Sequence, residues 1–116
     1  MNRVLLINLD NLTAQRFGLR CLDRDIAVVM AESVSEGVRI LATTPVSLIV
    51  ADLGRHGLSP HEYAQMFEQV APGVPVVATV APDLPLMARV ELQLAGFDVI
   101  PAPVEPEDLL KALPSI

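Results

Sequence analysis

The chain has no tryptophan, one tyrosine, three phenylalanines and a single lysine, Lys111, in 116 residues. With 3% aromatic and 52% hydrophobic residues, the core must be built from Leu, Val, Ile and Ala, the mix of a sheet covered by helices on both faces. One cysteine, Cys21, excludes an internal disulfide, and its place beside Phe17 in a helical pattern reads as a small buried apolar group. Eight basic residues stand against 14 acidic ones, a net charge of −6, which argues against nucleic-acid binding because neutralising phosphates needs clustered Lys and Arg. No apolar run reaches the roughly 18 residues that span a bilayer, so no membrane contact is expected. Met1-Asn2-Arg3 leads into a short strand pattern and not a signal peptide, and the expected address is cytoplasmic. The length suits one domain, 1–116, and is too short for two.

What is present is a regular alternation. Apolar runs at 4–9, 26–30, 48–51, 75–80 and 99–100 read as strands, and helical periodicity at 11–22, from 34, from 60, at 83–95 and at 106–113 separates them. Ser33-Val34-Ser35-Glu36 and Ser59-Pro60-His61-Glu62 are capping boxes, the second with proline at the first helical position. Asp83 is expected to cap the fourth helix, whose core stripe is read as Met87, Val90 and Leu94, and Gly96 to end it. The expected core faces of the first three helices are Ala14, Phe17, Gly18 and Cys21; Val34, Val38 and Leu41; and Tyr63, Phe67 and Val70. Strands alternating with helices imply a parallel sheet, which binds ligands at the carboxyl ends of its strands. Asn8, Leu9, Asp10, Asp52, Val80, Ala81 and Ala102 are therefore expected on one rim.

The most informative stretch is Ser47-Leu48-Ile49-Val50-Ala51-Asp52, an apolar run ending in a carboxylate where a buried strand reaches the surface. Five βα units, Asp52 closing the third strand, and Ala95-Gly96-Phe97-Asp98-Val99-Ile100-Pro101-Ala102-Pro103 together resemble the receiver domain of bacterial response regulators, the CheY-like superfamily, along the whole chain. The resemblance implies an α/β fold, a five-stranded parallel sheet with helices on both faces and strand order 2-1-3-4-5. It implies that Asp52 stands at the phosphoacceptor position. It also implies an acidic pair after the first strand, a Thr or Ser after the fourth, an aromatic switch residue in the fifth and a lysine before the last proline. Here those positions hold Asn8 and Leu9, Val80, Val99 and Ala102, and His56 stands where the loop after the phosphoacceptor usually has proline.

Each departure removes a chemical part. Phosphoryl transfer to a carboxylate relies on Mg²⁺ to offset charge on the transferring group, and a hard cation is held weakly by one carboxylate and one amide. A phosphoryl group on Asp52 would lack the lysine as well, and Val80 and Val99 would remove its readout. The leading expectation is a degenerate pseudo-receiver in two-component signalling: no enzyme, no cofactor, no metal, acting as a phosphorylation-independent interaction or dimerisation module. The alternative is a phosphorylation-competent receiver with an atypical Mg²⁺ site, in which Asp10 lies on the face of Asn8 and turns toward Asp52. Against it stands the reading of Asp10 as the cap of the first helix. Asp52 itself has a structural reading, as an acceptor for loop amides.

The remaining motifs are weaker. His56 and His61 are not at a ligand spacing, and Gly54 and Gly57 follow the wrong strand for a phosphate-binding loop, which places nucleotide binding last. Arg16, Arg20 and Arg24 read as a solvated face supported by Asp23 and Asp25. Surplus apolar residues on the fourth and last helices suggest a docking surface for a protein partner or second copy, with Leu86, Leu92, Leu109 and Leu113 as its interface. By the resemblance this is the α4-β5-α5 face of receivers, and a fused output domain after residue 116 is a further expectation.

Overall fold

Val4, Leu5, Leu6 and Ile7 are all buried, because a central parallel strand is covered on both faces. They belong to β1 (Asn2–Ile7) in a computed structural model that describes residues 2–53 and 58–114. The chain continues through α1 (Asn11–Cys21), β2 (Ile26–Ala31), α2 (Val34–Thr43), β3 (Leu48–Asp52), α3 (Pro60–Val70), β4 (Val76–Val80), α4 (Leu86–Leu94), β5 (Asp98–Pro101) and α5 (Pro106–Ala112). Among the described residues the five strands pair in parallel in the order β2-β1-β3-β4-β5, the expected arrangement. β2 and β5 are the edges, and β5 carries Pro101.

The period of two splits the strand side chains between two cores. Leu5, Ile7, Ile49, Ala51, Val76, Ala78 and Val80 pack with Leu41 of α2, Tyr63 and Phe67 of α3 and Leu92 of α4. Phe67 meets Phe97 edge to face, with ring centroids 6.5 Å apart. On the other face Val4, Leu6, Leu48, Val50 and Val77 pack with Ala14, Phe17 and Cys21 of α1 and Leu109 of α5. The α2 backbone passes so close to β1 that a Cβ on Gly37 would lie 2.6 Å from Ile7 Cδ1.

The helix starts follow from side-chain chemistry. Ser59 Oγ accepts from the Glu62 amide at 3.2 Å while Glu62 accepts from the Ser59 amide at 2.9 Å, a complete capping box. Ser33 accepts from the Glu36 amide at 3.1 Å, but Glu36 reaches back to the Glu32 amide, so the Ser33 box is half formed. Val34 and Val38 are half-buried, and Gly37 and Leu41 hold the buried face of α2.

Three expectations are corrected. β1 ends at Ile7, because Asn8 takes a left-handed conformation (φ 59) that an asparagine tolerates and a strand does not. Asp83 does not cap α4: Leu84 precedes Pro85 and is steered away from the helical region, so the helix starts at Leu86 with Pro85 as a cap that makes no side-chain hydrogen bond. α4 also turns a different stripe to the core than the expected one. Leu92 is 7% exposed and enters the core, whereas Met87 and Leu94 are 70% and 82% exposed. Gly96, at φ 103, supplies the left-handed turn after α4.

Candidate functional site

In an all-parallel sheet every strand delivers its last residue to the same rim, and the turn from β1 out to β2 and back to β3 opens a crevice between the loops that follow β1 and β3. Asp52, the last residue of β3, stands exposed there. The register pairs Asp52 with Thr79 of β4, and paired residues of parallel strands share a face. Thr79 is 7% exposed. Val80, one residue on, points to the opposite face and is buried among residues of α2, α3 and α4. A hydroxyl thus lies beside Asp52, one position earlier than the resemblance places it.

Asp52 and Thr79 line a cavity of about 730 Å³ with Leu9, Asp10, Thr13 and Arg16 on one side and residues of the loops after β4 and β5 on the other. Each degenerate position has a structural job. Asn8 is exposed, and its amide donates to the Ala31 carbonyl at 2.9 Å as the chain leaves the sheet. Leu9 packs on the core beneath α1 and α5. Val99 is half-buried against the other core. Ala102 is half-buried, lines the cavity with a methyl group, and is held to β4 by its amide, which donates to the Val80 carbonyl at 2.8 Å.

Asp10 is the N-cap of α1. Its Oδ2 accepts from the Thr13 amide at 3.0 Å and its Oδ1 from the Thr13 hydroxyl at 2.7 Å. The hydroxyl bond, then the amide bond, holds its carboxyl below the ordinary aspartate value. The expected alternative orientation, turned from the end of β1 toward Asp52, does not occur: β1 stops before residue 8 and the helix start claims the carboxylate. Asp10 nevertheless borders the same cavity as Asp52. Arg16 also borders it, and its guanidinium meets the Glu105 carboxylate at 2.7 Å.

A divalent cation, which the receiver resemblance implies, does not fit the side chains present. Hard cations take six or more oxygen donors with carboxylates among them. Leu9 offers no donor and Asp10 is committed to the cap. Among the described residues no group of three or more His, Cys, Asp and Glu side chains converges.

The other sequence candidates separate. His56, with Gly54 and Gly57, lies outside the described residues, and His61 is exposed on α3 with its ring 3.4 Å from the Gln65 amide. Arg16 and Arg20 pair with Glu105 and Glu107 at the start of α5, not with Asp23 and Asp25. These half-exposed pairs contribute little energy but align α1 with α5. Cys21 is buried, and desolvation raises its thiol above the ordinary value, so it is a packing group.

Leu92 and Leu109 are corrected as interface residues. Both are core, at 7% and 0% exposure, because the rotated α4 turns Leu92 inward and Leu109 faces the sheet beneath α5. Leu113 is half-buried against that same core. Leu86 is 73% exposed, and with Met87 and Leu94 it gives α4 a solvent-facing apolar surface. Thr79 is the site residue that sequence reasoning missed. Its signal was available: it is the lone hydroxyl of β4, and in-register pairing of two buried runs sets it next to Asp52.

No protein-family model matches the chain. The transcriptional regulatory protein GlrR of Escherichia coli (strain K12) is 29% identical over 110 residues, which cover 95% of this chain and 25% of that protein. The chain thus spans a quarter of the length of this curated relative. A response regulator from Desulfuromonas acetoxidans superposes with a TM-score of 0.79 at 17% identity, covering 96% of this chain and 92% of that one. A CheY-like response regulator receiver domain protein from Methanospirillum hungatei JF-1 gives 0.77 at 21% identity, covering 96% and 89%. The fold is that of response regulator receivers. No helix among the described residues is long and apolar enough to cross a membrane.

Proposed function

We propose that this chain, which has the fold of response regulator receivers, is a degenerate receiver of two-component signalling that works through protein contacts and without phosphorylation. One observation carries the reading: the parts around Asp52 are built into the scaffold. Leu9 is packed on a core, Asp10 caps α1, Val80 and Val99 fill the opposite core, and Ala102 presents a methyl group to the cavity. Among the described residues an aspartyl phosphate there would meet neither a metal cluster nor an ammonium group, so both its formation and its signal lack support. The partner surface is the exposed apolar side of α4, with Leu86, Met87 and Leu94. Similarity to a transcriptional regulator of which this chain spans a quarter supports a place beside an output domain.

The test is intact mass after incubation with Mg²⁺ and a small-molecule phosphodonor, beside Asp52→Asn. The expected result is no added mass on folded protein. Gain of one phosphoryl group by the wild type alone would favour the second reading, a phosphorylation-competent receiver. The presence of Thr79 beside Asp52, with Asp10 on the same cavity, is what keeps that reading open.

A further inference from the structure

Among the described residues β2 pairs with β1 alone, which leaves its outer side an open edge. By the period of two, Ile26, Val28 and Met30 point to the α1 side of the sheet, where Ile26 and Val28 pack on the core. Met30, the last of the row, stands half exposed toward the rim. At the other end of the row a cleft of about 310 Å³ opens between α1 and β2, lined by Gly18, Cys21 and Leu22 and by residues 25–28. Gly18 leaves it room, since a Cβ there would meet nothing within 4 Å, and Leu22 on its lip is 79% exposed. One strand thus carries an apolar knob and, four residues away on the same face, a cleft.

We propose that the β2 edge pairs antiparallel with the β2 edge of a second copy of this chain, each Met30 entering the other copy's cleft, so that one sheet runs through both. The two-fold axis between two such strands stands perpendicular to the sheet and leaves each face on its own side, so residues opposite one another are both even-numbered or both odd-numbered. The register with Val28 on the axis sets Ile26 opposite Met30 and Ala27 opposite Val29. It brings each knob to the opposing cleft, and the axis makes the contact twice. Methionine suits the place, because its unbranched side chain adapts to an irregular gap. A shift by one pair in either direction would set Ile26 against Glu32 or Met30 against Arg24, apolar against charged. The occupant is a second copy because knob and cleft belong to one strand and meet only across such an axis. The six residues of β2 give an edge of about 20 Å, and with the flanks of α1 and α2 the contact comes to about 1,000 Å² in total, the lower limit of a specific interface. The dimer is therefore a weak one, of micromolar strength. This surface lies at the far end of the sheet from β5 and α4, so it goes beyond the partner surface above and does not rest on it.

The experiment is sedimentation velocity of the whole chain carrying Leu94→Glu, which removes the α4 contact, up to about 0.5 mM, well above a micromolar Kd. The expected result is a monomer–dimer equilibrium, which Met30→Lys should return to monomer with an unchanged circular dichroism spectrum. Cysteine cross-linking with oxidised glutathione in the same background reads the register. Val28→Cys should give a covalent dimer, since its two copies meet on the axis, while Ala27→Cys and Val29→Cys should not. Should Met30→Lys fail to fold, the cross-link decides alone. Monomer at every concentration, a folded Met30→Lys that still dimerises, or cross-linking through Ala27→Cys or Val29→Cys in place of Val28→Cys would each overturn the proposal.

Discussion

Replacing Gly18 and Gly37 by alanine, one at a time, should move stability in opposite directions. Both glycines are helical, so alanine offers the same intrinsic gain at each, about 0.5–1 kcal/mol from helix propensity and a less disordered unfolded chain. At Gly18 in α1 the added Cβ meets nothing within 4 Å, and the gain is kept. At Gly37 in α2 it would lie 2.6 Å from Cδ1 and 2.9 Å from Cγ1 of Ile7. Ile7 is 0% exposed, so the methylene carbon that must yield has no open space behind it. Overpacking of this kind costs about 1–3 kcal/mol, which exceeds the propensity gain and leaves a net loss of about 1–2 kcal/mol. At about 4 °C per kcal/mol for a domain of this size, Gly37→Ala should melt about 4–8 °C below the wild type and Gly18→Ala about 2–4 °C above it. Urea unfolding followed by far-ultraviolet circular dichroism, with unchanged slopes, gives the free energies directly. A Gly37→Ala variant as stable as Gly18→Ala would refute the close approach of α2 to β1. That contact matters to the site, because Ile7 is the last residue of β1 before the chain turns at Asn8.

The rotation of α4 has its own test: Leu92→Ala should cost about 2–5 kcal/mol as a core truncation, while Leu94→Ala should stay within about 0.5 kcal/mol. Equal losses would restore the Met87, Val90 and Leu94 stripe as the core. Leu94→Glu should leave folding intact and weaken any self-association or partner binding measured by analytical ultracentrifugation; unchanged association would remove α4 as the contact surface. Asp10 has a carboxyl held below its ordinary value of 3.8 by Thr13, so its contribution is present above the unfolded value and lost as pH falls through the lower folded value. Asp10→Ala should therefore cost about 1 kcal/mol of unfolding free energy at pH 7, with the gap to wild type closing below about pH 4. A gap of the same size at pH 2 would show that the loss is not the charged cap.

The fold was legible because strand runs, capping serines and breakers agree with one another. Ser59-Pro60-His61-Glu62 specifies a helix start from four residues alone, and the sequence does form the full box. The phase of α4 was not legible, since Leu86, Met87, Ala88, Val90, Leu92, Leu94 and Ala95 allow more than one helical stripe. The choice between them is made by packing against the sheet, where Leu92 joins the core cluster of α2 and α3. At the site, Asp52 and its rim followed from parallel topology, as did the cavity position of Ala102. The place of Asp10 depended on where β1 stops, a matter of one backbone conformation at Asn8. Thr79 was overlooked because its role comes from register across two strands, which no single segment displays.

The two edges of the sheet differ in what they offer another chain. β5 has four residues and includes Pro101, which has no amide to give, and the chain leaves the edge through Pro103. β2 has six residues, Ile26–Ala31, with neither proline nor charge, and its Met30 is 52% exposed. A foreign strand adds only where backbone donors and acceptors stand open in sequence. Polymer growth from a partly unfolded population is therefore one-sided. Substitutions that loosen α1 or α2, the helices flanking β2, would turn a loss of stability into aggregation, whereas equal losses near β5 would leave the protein unfolded but soluble for longer.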